Sequence, residues 1–141
     1  MAEQIVADEV AEAEFDRWAE AMDLRRKLEN PAMNAESKEG LATHKRSILD
    51  AMTLGNLVVD VAGQFVFTPQ LGDKTAITFF EPDGACLMAV DQIAKQGHRE
   101  VAKGFAILAA MTKQSSGRFA KMKVRDFGVC EAVLSLFLAK V

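Results

Sequence analysis

The sequence predicts a mainly helical α+β fold: a helical bundle carrying a small antiparallel sheet of two or three strands near the middle of the chain. Three observations lead there. Apolar residues recur at helical spacing in the first third and again from residue 83 onward. Between about 57 and 80, β-branched and aromatic residues take over in short runs. Breakers fall where the period changes: Asn30-Pro31, Gly55, Gly63, Pro69 and Glu81-Pro82-Asp83-Gly84. At 141 residues the chain fits one core that needs no metal or disulfide. Residues 1–33 read as an N-terminal helical extension. Residues 34–141 read as the main helical domain, with its β-hairpin at about 57–80.

The first helix is expected from about Asp8 to Leu24. Phe15, Trp18 and Met22 share a face, acidic residues crowd the start, and Arg25-Arg26-Lys27 suit the end. Trp18, the one tryptophan, reads as an anchor for this helix; docking of the helix onto a neighbouring subunit is the alternative. A second helix begins near Asn34 or Ser37, with Leu41, Lys45, Ile48, Leu49 and Met52 on a narrow stripe and Gly55 as its C-terminal glycine.

Leu57 to Asp60 and Phe65 to Thr68 then form a hairpin, with Gly63 supplying the left-handed residue of its loop. Ile77 to Phe80 offers a third strand. A hairpin alone is marginal in water, so three strands with one covered face are favoured. Alternation puts Phe79 and Phe80 on opposite faces, so one of them lies away from the main core.

Asp83 is placed to cap the next helix, with Leu87, Val90, Ile93 and Ala94 on its apolar face and Gly97 at its end. His98 to Lys113 makes another, carrying Val101, Phe105, Leu108 and Ala109. Ser115-Ser116-Gly117 reads as the loop before the last helix. That helix starts between Phe119 and Val124 and runs to about Lys140. It has two apolar rows: Val129, Val133, Leu136 and Phe137, and Phe127, Cys130, Leu134 and Leu138. Together they cover most of the circumference. Periodicity is satisfied equally by a central core helix and by an edge helix that contacts a partner. Phe79, Phe80, Val129, Val133, Leu136 and Phe137 are therefore the candidate partner-binding residues.

The sequence assembles no catalytic set, and no enzyme or cofactor is expected. His44 and His98 sit beside charges, with no ligand at metal spacing. Phosphate loops, dinucleotide fingerprints and nucleophile elbows are missing. Cys86 and Cys130 read as small buried hydrophobes, with a disulfide between them the alternative. Asp91 reads as part of a solvated helix face. Asp126 reads as a helix-start carboxylate or the partner of a nearby cation. Arg118, Lys121, Lys123 and Arg125 form a basic patch with Phe119 and Met122. On a chain of net charge −3 that patch argues poorly for nucleic acid. With no signal-peptide pattern and no apolar run near ~20 residues, a cytoplasmic protein that does not enter a membrane is expected.

One ordered set of residues is more specific than any single motif. Phe65-Val66-Phe67-Thr68-Pro69 is followed by Ile77-Thr78-Phe79-Phe80-Glu81-Pro82, Gly84-Ala85-Cys86-Leu87 and Val90-Asp91. Then come Leu108-Ala109-Ala110-Met111-Thr112, Val124-Arg125-Asp126-Phe127, Val133 and Phe137-Leu138. This order, over roughly residues 57 to 139, resembles the tail assembly chaperones of long-tailed bacteriophages. Phe15 to Asp23 looks like an extension found in some of them. Cys86 and Met88 are departures at the helix start.

The resemblance implies a non-enzymatic protein of the host cell cytoplasm, absent from the mature virion. It implies binding to the tape measure protein, which is kept soluble until tail tube subunits polymerise around it. It further implies a homo-oligomer, and contact with tail tube protein through a longer frameshifted form of which this chain is the short counterpart. A structural tail component, such as a completion or connector protein, is the alternative.

Overall fold

The computed structural model describes residues 4–24, 31–32, 34–84, 86, 88 and 100–137, the side chains of 100–102 excepted. Among these the elements are α1 (Asp8–Ala21), α2 (Ala35–Thr53), β1 (Leu57–Val59), β2 (Phe65–Phe67), β3 (Ile77–Phe79), α3 (Glu100–Thr112), α4 (Ser116–Lys121) and α5 (Val124–Phe137). The fold is thus α+β and mainly helical, with one small three-stranded antiparallel sheet.

Helix ends follow local chemistry. Asn34 caps α2, its side-chain oxygen accepting the Ser37 N–H at 2.8 Å. Three helices close through one left-handed residue each: Asp23 (φ 56°) after α1, Gly55 (φ 79°) after α2 and Lys113 (φ 58°) after α3. In each case the next N–H turns back onto the helix: Leu24 to the Ala19 carbonyl at 2.8 Å, Asn56 to Ala51 at 3.0 Å, and Gln114 to Ala109 at 3.2 Å. This is the glycine-type C-terminal closure, with Gly55 the only residue of the three that adopts it without side-chain cost. Because Asp23 adopts it too, α1 stops at Ala21, short of the expected Leu24.

The sheet is a meander in the order β1-β2-β3. Its register pairs Leu57 with Phe67, Val59 with Phe65, Phe65 with Phe79, and Phe67 with Ile77. All six of these side chains face inward, and all but the half-buried Val59 are fully buried. Val58, Val66 and Thr78 form the opposite, more exposed face. The hairpin loop is built on Asp60, whose carboxylate accepts the N–H groups of Ala62 (2.9 Å) and Gln64 (3.0 Å). Gly63 supplies the left-handed residue at φ 83°.

α5 is the central helix. Cys130, Ala132, Val133, Leu134 and Leu136 are buried, and it packs chiefly on α2. α1 belongs to the same core: Trp18 stacks on Phe65 at 4.4 Å and meets Phe137 edge-on at 5.3 Å. The Trp18 ring is an anchor within this chain, although its indole N–H finds no acceptor among the described residues.

One expectation is corrected. Of Ser115-Ser116-Gly117 only Ser115 lies in the connection: Ser116 and Gly117 open α4, and Lys113 makes the turn by going left-handed. The break before α5 falls instead at Met122, whose extended backbone (ψ 142°) separates α4 from α5. Gly84, Cys86 and Met88 are helical directly after Asp83, as the capping argument expects. The expectations placed on Arg25-Arg26-Lys27, Leu87, Val90, Asp91, Ile93, Ala94, Gly97, His98 and Leu138 lie outside the described residues, as does the side chain of Val101.

Candidate functional site

The six candidate partner-binding residues divide by burial. Phe79, Val133 and Leu136 are fully buried and build the core. In this conformation they shape a surface only from beneath. Phe80, Val129 and Phe137 are half-buried and lie in three different neighbourhoods. Phe137 closes on Trp18. Phe80 directly follows β3; its N–H donates to the Met111 carbonyl at 3.0 Å, and the Lys113 ammonium sits 4.5 Å from its ring centre. That cation–π contact covers part of the ring with a mobile, solvated group.

Val129 lines a cleft of about 500 Å³ between α2 and α5. Ala51, Leu54, Phe67 and Val129 supply apolar lining, and Ser47, Asn56 and Gln70 add neutral polar groups. Asp50 and Arg125, both exposed, place opposite charges on it. Such a lining accepts apolar side chains while the polar groups orient a backbone.

The cleft depends on Asp126, which is 1% exposed. Its two carboxylate oxygens accept the backbone N–H groups of Gln70 (2.9 Å) and Leu71 (3.1 Å). Asp126 stands in the first turn of α5, where a carboxylate suits the helix dipole. Its side chain nonetheless serves a loop 55 residues away in sequence. No local pattern signals that contact.

The basic patch divides in a similar way. Arg118 points inward, its side chain 11% exposed, and pairs with Asp73 at 3.7 Å. It also donates to Gln114 at 2.9 Å and to the Thr75 carbonyl. Thr75, first through its backbone N–H and then through its side chain, holds the Asp73 carboxyl below its ordinary 3.8, and Arg118 adds to the effect. Lys121, Lys123 and Arg125 remain exposed.

Cys86 and Cys130 are free and buried. Burial, followed by the nearby Asp126 charge, pushes the Cys130 thiol up to about 12. A thiol so placed stays neutral and unreactive at ordinary pH. Among the described residues no cluster of three or more His, Cys, Asp or Glu could hold a metal ion, and no helix is long and apolar enough to cross a membrane. No family model, curated protein or solved structure matches the chain.

Proposed function

We propose that this chain is a tail assembly chaperone of a long-tailed bacteriophage, which binds the tape measure protein and keeps it soluble in the host cytoplasm until the tail tube polymerises. The observation that carries the reading is the ordered set of residues from Phe65-Val66-Phe67-Thr68-Pro69 to Phe137-Leu138 described above. Two features of the geometry support it. The cleft between α2 and α5 offers an apolar lining with Val129, Leu54 and Phe67, of the kind that takes the apolar face of a client helix. Phe80 offers a second, half-covered aromatic contact.

Co-expression of the tape measure protein with this chain tests the proposal. The two should co-purify, and mass spectrometry of finished virions should find the tape measure protein without this chain. Presence of the chain in virions at stoichiometric level would instead make it a structural tail component. Failure to co-purify would remove the chaperone reading.

A further inference from the structure

Gly128 stands within α5, where glycine is the least favourable residue after proline. Nothing among the described residues asks for it. Its backbone is not left-handed, and a Cβ built there would meet no atom of theirs within 4 Å. Gly40 and Gly104 are equally open on α2 and α3, but neither lines a described cleft. Gly128 does: it lies exposed in the wall of the α2–α5 cleft, beside Val129. A helix residue without a side chain at such a place leaves a hole for a group that approaches from outside.

The hole has helical walls. Ala51 and Leu54 share one face of α2, and Gly128 and Val129 stand on α5, with the buried Phe67 ring also lining the cleft. Two residues from each of two helices make the kind of hole that receives one side chain of a third helix. Charges flank it. Arg125 on α5 and Asp50 on α2 are exposed in the same cleft, and neither has an ion-pair partner among the described residues. Asp50 also lines the cleft between α1 and α2 with Lys45 and Arg46, so it stands on the ridge between the two. Asp126 adds no free charge, because both its oxygens are held by backbone N–H groups.

An occupant complementary to this cleft carries a large apolar side chain between a carboxylate, which meets Arg125, and a cation, which meets Asp50. An extended peptide would draw its affinity from a free strand edge, and β2, the strand that supplies Phe67, is paired on both sides. A helix needs no such edge. Resting on the chaperone reading, we infer that the cleft seats one amphipathic helix of the tape measure protein, an apolar side chain entering the hole at Gly128 and opposite charges on either side of it fixing the direction of the helix. Gly128 then serves binding, not folding.

Co-purification with the intact tape measure protein, and titration of the purified chain with overlapping helical peptides of it, test the inference. Gly128→Leu fills the hole. The variant should fold with a thermal midpoint at or above that of the wild type, while its affinity for the best-binding peptide falls at least about tenfold. Gly40→Leu makes the same change on a helix face that lines no described cleft, and should leave affinity unchanged. Arg125→Glu should weaken binding about threefold, and replacing the carboxylates of the peptide by lysine should restore it. A folded Gly128→Leu chain that binds like the wild type, a Gly128→Leu chain that does not fold, or an Arg125→Glu loss that no peptide charge restores would overturn the inference. So would a wild-type chain that co-purifies with the intact protein but binds none of its helical peptides; in each of these cases the chaperone reading stands. A wild-type chain that binds neither the intact protein nor any peptide removes that reading, and the inference with it.

Discussion

At Gly63 a methyl group would land 2.6 Å from the Ala21 Cβ, and the backbone there is already at φ 83°. Gly63→Ala therefore meets both conformational strain and a clash with α1, and should cost about 2 kcal/mol or more in a denaturant titration. Asp126 is a different kind of point. Asp126→Ala would leave two N–H groups, those of Gln70 and Leu71, without acceptors, for a loss of about 2–4 kcal/mol. Asp126→Asn keeps one acceptor and should cost less. Cys130 gives a pH signature. Its thiol ionises at about 12 when folded against 9.0 as the reference, so the folded state holds its proton more tightly. Its contribution is fully present below pH 9 and is lost as pH rises towards 12; a stability curve across that range should fall. A flat curve would mean that the thiol is not shielded as described.

The elements differ in how far they could be read. The hairpin was legible because Gly63 between two β-branched arms has one simple use, and the α2 start because Asn34 stands just before the helical pattern. α5 was not fully legible. Two apolar rows show that both sides are covered, but periodicity does not name the neighbour, and only packing on α2 makes it the central helix. Ser115-Ser116-Gly117 misled because its composition suits a loop, while the turn was made by Lys113, a residue type with no preference for left-handed backbone. The extension read into residues 1–33 rested on local pattern, which cannot show that Trp18 would lie against Phe65 and Phe137. The cleft stayed hidden for the same reason, since it is closed by Asp126 acting across 55 residues. Trp18→Ala should therefore disturb the whole domain: a loss of about 3–5 kcal/mol in a single cooperative transition, not selective fraying of α1. Separate melting of α1, followed by helix-specific hydrogen exchange, would contradict that.

On the scale of the whole molecule, the buried groups serve structure. The aromatic core is closed, both cysteines are inside, and Arg118 and Asp126 spend their charge on loop backbone. Among the described residues the surface carries the cleft beside Val129 and the half-covered Phe80 ring. The chaperone account makes the cleft and Phe80 the client contacts. Val129→Lys, which puts a charge in the cleft from a half-buried position, should weaken client binding at least about tenfold while the chain stays folded. The soluble yield of tape measure protein, measured side by side with no partner, with the wild-type chain and with Val129→Lys, tests the account most directly. The account predicts soluble tape measure protein with the wild type and aggregation in the other two cases; equal solubility in all three would contradict it.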